Sequence, residues 1–206
     1  MNQIETKLRE TAGVLPGAPP GGLDRQIVDR AGAESLVDVA YCSVDSPLGP
    51  LTVAGTHRGL VLVSYQPPDD ELLQRLADRL SPRVLEAPAH LDEARRELDE
   101  YFEGERTEFE LPLDWSLVRG FARRVLRATA AIRYGDVSTY TKVAGRAGNP
   151  RASRAAGNAL GGNPIPVVVP CHRVLRTGGG LGGYGGGIER KEFLLRLEGA
   201  LPDEPG

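Results

Sequence analysis

Cysteine is scarce: Cys42 and Cys171 are the two in 206 residues. That excludes a disulfide framework and a four-cysteine zinc site. Aromatic residues make up 5% of the chain, with a single tryptophan at Trp115. No apolar run approaches the roughly 18 residues of a membrane-spanning helix. Met1 to Glu10 mix charges around no apolar stretch, so a secretory signal is not expected, and the expected compartment is the reducing cytoplasm. What is present suits a globular chain: 40% hydrophobic and 26% charged residues, enough length for one or two domains with a buried core.

The net charge of −3 hides an asymmetry. Residues 1–118 carry 11 Lys+Arg against 22 Asp+Glu, a net of −11; residues 119–206 carry 14 against 6, a net of +8. A basic half joined to an acidic half suggests that only the basic one meets a polyanion, although a drift of charge along the chain accounts for the same numbers.

Residues 1–12 suit a short helix with Ile4 and Leu8 one turn apart. Gly13, Pro16, Gly17, Pro19, Pro20, Gly21 and Gly22 then make a breaker-rich linker, and 1–35 read as a mobile extension. Three strands are predicted over 37–44, 51–54 and 60–65, parted by turns short enough for antiparallel hairpins. Asp69 is placed to cap a helix carrying Leu72, Leu73, Leu76 and Leu80. A second helix is predicted over 90–102, and Pro112 and Trp115 mark a domain junction.

The second half reads as helical, then glycine-rich. Phe121, Val125, Leu126 and Ala130 recur at helical spacing, and 136–143 is predicted as the next helix. Gly148-Asn149-Pro150 makes a tight turn, with Pro150 placed to open a helix over 151–160. That helix carries Ala152, Ala155, Ala156, Gly157 and Ala159, with Arg151 and Arg154 at its start. Helix, turn and small-residue helix make a helix-turn-helix shape whose bare face can lie against a nucleic-acid backbone. A helical hairpin packed in a core gives the same pattern. Eight of the ten residues in 178–187 are glycine, with Tyr184 among them, which suggests a close-contact loop rather than a linker. A last amphipathic helix is predicted over 191–198.

Cys171 and His172 carry the chemistry. A free thiol ionises near pH 8.5, so a neighbouring imidazole that takes its proton makes a nucleophile, and a carboxylate behind the imidazole stabilises the charge. Glu198, 27 residues on, is the candidate carboxylate. Taken alone, the pair also suits a buried thiol and a core histidine; Cys42, on a predicted strand with no base nearby, suits only the first.

Pro170-Cys171-His172-Arg173-Val174 resembles the active-site signature of the O(6)-alkylguanine-DNA alkyltransferases. The resemblance runs from Phe121 to Gly199 nearly without gaps, through Tyr134-Gly135-Asp136-Val137, Ala147-Gly148-Asn149-Pro150, Arg154-Ala155, Gly162-Asn163-Pro164 and Lys191-Glu192-Phe193-Leu194-Leu195. It extends more weakly to Asp45-Ser46-Pro47-Leu48-Gly49. The family implies a role for each matched position. Cys171 is the nucleophile and permanent alkyl acceptor, His172 its water-mediated base, and Glu198 the partner of His172. Tyr140 holds and protonates the flipped guanine. Arg154 enters the base stack, while Arg151, Ala155 and Gly157 lie on the DNA-facing helix. Asn163 ties that helix to the active-site segment, Val174 reads the guanine edge through its backbone, and Tyr184 lines the lesion pocket. Gly185 stands where the family often has serine.

The fold class so implied is α/β plus mainly α. A small ribonuclease H-like domain with a three-stranded antiparallel sheet is expected over 36–112. A winged-helix-like helix-turn-helix domain is expected over 113–200, followed by a tail at 201–206. The expected function is stoichiometric alkyl transfer from O(6)-alkylguanine, and also O(4)-alkylthymine, in double-stranded DNA, by a monomer with no cofactor. Some relatives bind zinc in the first domain; Thr56 and Val61 stand at the matched positions, and no metal is expected. The rival within the family is a lesion-binding protein without the acceptor cysteine, against which Cys171 argues. A helix-turn-helix regulator would need polar base-reading residues where Ala155, Ala156, Gly157 and Ala159 stand, and a Cys–His–Glu hydrolase would need a substrate groove.

Overall fold

The computed structural model describes residues 37–202. The helix and linker expected over 1–35, and the end of the 201–206 tail, lie outside those residues. Strands β1 (Val39–Val44), β2 (Leu51–Thr56) and β3 (Gly59–Ser64) form the expected antiparallel hairpins. The sheet gains a fourth member, β4 (Val84–Glu86), which pairs parallel to β1 and completes the order β3-β2-β1-β4. Hairpin spacing carries no sign of it, because a three-residue parallel strand returning after a helix has too little pattern to read. β2 is central and buried at five of its six positions, as a strand covered on both faces should be.

Helix α1 (Asp70–Arg79) follows β3, and Asp69 caps it by accepting the Leu72 amide at 2.9 Å. Leu76 of α1 packs with Val39, Ala54 and Val61 in a fully buried cluster. A 3₁₀ turn, Pro88–Leu91, leads into α2 (Asp92–Phe102), which buries Ala94, Glu97, Leu98 and Tyr101. The chain then returns to the free edge of β3. There Leu60 donates to the Pro112 carbonyl and Asp114 donates back to the Leu60 carbonyl, both at 2.8 Å.

Gly59 permits this return. Its φ is +124°, and a Cβ there would lie 2.0 Å from the Pro112 oxygen. Gly59→Ala is therefore expected to cost about 2–3 kcal/mol, seen as a lower denaturant midpoint at unchanged slope.

The second half is built from α3 (Gly120–Ala130), α4 (Tyr140–Arg146) and α5 (Ser153–Gly161), with α3 packed on both of the others. Residues 136–139, predicted helical, instead lie outside any helix, with the short strand β5 (Ser138–Thr139) at their end. β5 pairs parallel to β6 (Val174–Leu175), and the Thr139 hydroxyl caps α4 at the Lys142 amide. Pro150 does not open α5. It sits in the turn, where Asn149 accepts the Arg151 amide at 3.2 Å, and the helix starts at Ser153. The last helix, α6 (Ile188–Leu197), begins three residues earlier than predicted and is closed by Glu198. No helix among the described residues is long and apolar enough to cross a membrane.

Candidate active site

Between α5 and β6 the chain makes two sharp reversals. Asn163 opens the first, its side-chain oxygen accepting the Ile165 amide at 3.1 Å. Val167 adopts φ +72°, a left-handed conformation that β-branched residues avoid, so local strain sits four residues before Cys171. Ile165, Val167 and Val169 are fully buried and anchor the segment. A short 3₁₀ turn, Cys171–Arg173, then presents the thiol to Asn163, whose Nδ2 donates to the Val169 carbonyl at 2.8 Å and to Sγ at 3.1 Å. Burial pushes the Cys171 thiol up to about 11 despite the Asn163 bond, so the resting thiol is protonated and needs a base.

Behind the thiol lies a closed network. His172 is fully buried, and its Nε2 meets Glu198 Oε1 at 2.8 Å. With that nitrogen donating to the carboxylate, Nδ1 is left as the basic atom, and it is buried with no hydrogen-bond partner among the described residues. Burial lowers the His172 pKa and Glu198 pulls it back up, so the resting imidazole is neutral and able to accept a proton. Glu198 also takes both ends of Arg173: Nε donates to Oε2 at 2.8 Å and Nη2 to Oε1 at 2.9 Å. The Tyr101 hydroxyl, 97 residues distant in sequence, donates to Oε1 at 2.6 Å. Burial alone would raise the Glu198 pKa; the His172 and Arg173 bonds outweigh it and hold the carboxyl at about 2.

Cys171 opens onto a cavity of about 560 Å³ walled by Tyr140, Arg154, Gly157, Arg176 and Tyr184. Gly157 of α5 faces the Tyr140 ring, where a Cβ would sit at 3.7 Å. The glycine loop is held against the other side. Tyr184 bonds Tyr65 of the sheet edge, hydroxyl to hydroxyl, at 2.7 Å, and Arg190 lies 4.7 Å over the Tyr65 ring. Two of its glycines are needed for space: a Cβ at Gly182 would meet the Tyr140 hydroxyl at 2.6 Å, and one at Gly186 the Tyr65 ring at 2.5 Å. Gly185 also lines the cavity, and a Cβ there would lie 3.1 Å from the Gly161 carbonyl, tight for a serine. Lys191 is fully buried with no carboxylate; its Nζ donates to the Val174 carbonyl at 2.6 Å and the Leu181 carbonyl at 2.5 Å, and burial lowers its pKa to about 8.

The structure thus brings Cys171, Tyr140, Arg154, Gly157, Tyr184 and Gly185 to one cavity, with Asn163 on the thiol and His172 and Glu198 behind it. Arg151 and Ala155 are exposed beyond the cavity, at the turn and on α5. Val174 is fully buried on β6 and does not line the cavity; its carbonyl accepts from Lys191. Thr56 donates to Asp114 at 2.6 Å, and Val61 is buried in the core cluster. Four residues without an assigned role in the sequence also serve the site: Arg173, Lys191, Tyr65 and Tyr101. The first two stand inside the quoted motifs; the tyrosines carry no local signal.

Fold and site together define a two-part protein: a small sheet half, and a helix-turn-helix half that buries a relay-backed cysteine beside an arginine-lined cavity. Residues 39–115 match the model of the 6-O-methylguanine DNA methyltransferase ribonuclease-like domain, and residues 120–200 that of its DNA binding domain. The methylated-DNA–protein-cysteine methyltransferase of Mycobacterium tuberculosis H37Rv is 42% identical over 162 residues, covering 78% of this chain and 92% of that protein. The Homo sapiens protein of the same name is 35% identical over 170 residues, covering 80% and 82%. The crystal structure of M. tuberculosis OGT in complex with DNA superposes with a TM-score of 0.66 at 41% identity, covering 77% of this chain and 92% of that one. The chain belongs to the 6-O-methylguanine DNA methyltransferase family.

Proposed function

We propose that this protein repairs alkylated double-stranded DNA by moving the alkyl group from O(6) of guanine onto Cys171, once per molecule. The observation that carries this is the buried thiol on Asn163, backed by His172 and Glu198 and open to the cavity beneath Arg154. The target atom lies inside the duplex, so the nucleotide is extruded into the cavity at a cost of a few kcal/mol, least for a poorly paired lesion. Arg154, exposed at the start of α5, fills the space left in the stack; Arg151 and Ala155 meet the backbone beside it. The thiol proton passes toward His172 Nδ1, and the sulfur attacks the alkyl carbon in line. The carbon–oxygen bond breaks, its electron pair stays on guanine, and guanine is protonated as it leaves, with Tyr140 as donor. His172 then releases the proton it took and Tyr140 regains the one it gave, both by exchange with solvent, so the net change is one proton from thiol to guanine and the alkyl group from oxygen to sulfur. A thioether has no hydrolytic route back, which makes the reaction stoichiometric.

The non-catalytic reading is not favoured, because such a protein needs no proton relay behind Cys171. We assign the sheet domain to 36–112 and the DNA-binding domain to 113–200, working as a monomer in the cytoplasm, with O(4)-alkylthymine as a second substrate. Val174 is assigned to read the guanine edge through its backbone. The test is chromatographic: guanine restored in an O(6)-methylguanine duplex plateaus at one per chain, whereas continued turnover contradicts the reading.

Tyr101 is a positioning residue in this scheme, since it orders the carboxylate without facing the cavity. Tyr101→Phe keeps the ring contacts to Phe102, Phe109 and Tyr134. It is expected to cost about 1.5–3 kcal/mol of stability and to slow transfer about three- to tenfold, with an altered pH profile and unchanged DNA affinity.

A further inference from the structure

The arginines of the two halves are treated differently. Between residues 37 and 118, six of the seven arginines meet a carboxylate, and the seventh, Arg79, donates to the Leu117 carbonyl. Beyond residue 119, the arginines that meet a carboxylate among the described residues are Arg173 and Arg196. The excess charge of the second half is therefore left facing solvent.

Three of those unneutralised arginines converge. Arg124 and Arg127 of α3 and Arg146 at the end of α4 line a groove of about 540 Å³ whose remaining walls are Ala128 and Ala131. It shares no residue with the cavity at Cys171. Two of its guanidinium groups are held in place. Arg124 donates from Nε to the Ala147 carbonyl at 2.9 Å and lies over the Phe121 ring at 5.5 Å; Arg127 lies over the Trp115 ring at 5.8 Å. Arginines fixed in this way lose little freedom when an anion arrives, and the planar fork suits phosphate oxygens. The small alanine walls keep no bulk between a strand and the charges. From Arg146 the chain runs through the turn at Gly148 to the exposed Arg151 and Arg154 at the start of α5, eight residues on.

We propose that this groove is a second phosphate-backbone contact, taking the duplex that flanks the lesion while the extruded nucleotide occupies the cavity. It rests on the repair reading and extends it: grip on the duplex is shared between α5 and the Arg124–Arg127–Arg146 groove. Such contacts position DNA without reading sequence, which suits a protein that must search all of it.

The test is duplex affinity against salt concentration for the full chain, with undamaged DNA as the probe. Each phosphate contact removed should flatten the slope of log K against log[salt] by about 0.9. Arg127→Gln/Arg146→Gln is expected to flatten it by about 2 and weaken binding about tenfold near physiological salt. Arg146→Glu alone, at a side chain with no hydrogen-bond or ion-pair partner among the described residues, should weaken it further than Arg146→Gln. Alkyl uptake from free O(6)-methylguanine nucleobase should equal that of the parent, which shows that the variants are folded and active. An unchanged salt slope in variants of an active parent overturns the groove alone. A parent that takes no alkyl group and binds no duplex overturns the repair reading with it.

Discussion

Cys171→Ser is expected to abolish alkyl transfer, at least about 10⁴-fold, while leaving affinity for a lesion duplex within about twofold. A hydroxyl is a far weaker acid than a thiol, and in this site even the thiol is held as neutral as burial can make it, at about 11. The relay of His172 and Glu198 therefore works against a large deprotonation cost, which oxygen would raise beyond its reach. Serine fits the site sterically and can still accept from Asn163 Nδ2, so folding and DNA binding should survive. Single-turnover assays read the first effect and fluorescence anisotropy the second. A serine variant with measurable transfer would mean that the acceptor is another residue. Cys42, buried on β1 with its pKa pushed up to about 11, has no relay behind it and is not expected to react.

Glu198→Gln should show the second large effect, on stability as well as rate. The carboxylate accepts four donors, from His172, Arg173 twice and Tyr101, all of them buried. An amide offers one acceptor atom and turns an NH₂ group toward Arg173. The guanidinium keeps its bond to the Ile132 carbonyl at 2.5 Å but loses its counter-charge. Stranding a buried charge typically costs about 3–5 kcal/mol. The rate should fall about 10²–10⁴-fold, because the imidazolium formed during proton transfer loses its stabilising charge.

The pH dependence follows from the same bonds. The Glu198 carboxyl is depressed from an ordinary 4.5 to about 2, so folding favours its ionised form. That contribution is fully present above about pH 4.5 and is lost as pH falls from there through about 2. Denaturant titrations across that window should show the parent falling toward Glu198→Gln as acid is added. Parallel curves would contradict the assignment of the network to Glu198.

The parts legible in the sequence are those whose cause is local. Asp69 caps its helix through atoms three residues away, and stretches rich in valine, leucine and tyrosine parted by short turns mark β1 to β3. The Cys171-His172 pair lies within one turn, and the family motifs around it fall on consecutive positions. What stayed hidden depends on contacts that no window spans. Tyr101 reaches Glu198 across 97 residues, and nothing in Glu100-Tyr101-Phe102 marks that hydroxyl as different from any core tyrosine. β4 exists because α1 returns the chain beside β1, a tertiary cause for a three-residue strand. A single helix is expected over 136–143, yet Ser138 and Thr139 are drawn into pairing with Val174 and Leu175 on the far side of the active-site turn. There tertiary pairing overrides local preference, and it does so where β6 must lead directly out of Arg173.

The measurement that tests the account most directly is the intact mass of the protein after incubation with a duplex containing O(6)-methylguanine, followed by peptide mapping. The expected result is a gain of one methyl group per chain, located on Cys171 and absent in Cys171→Ser. An unchanged mass with the duplex tightly bound, or a methyl group on any other residue, would contradict it.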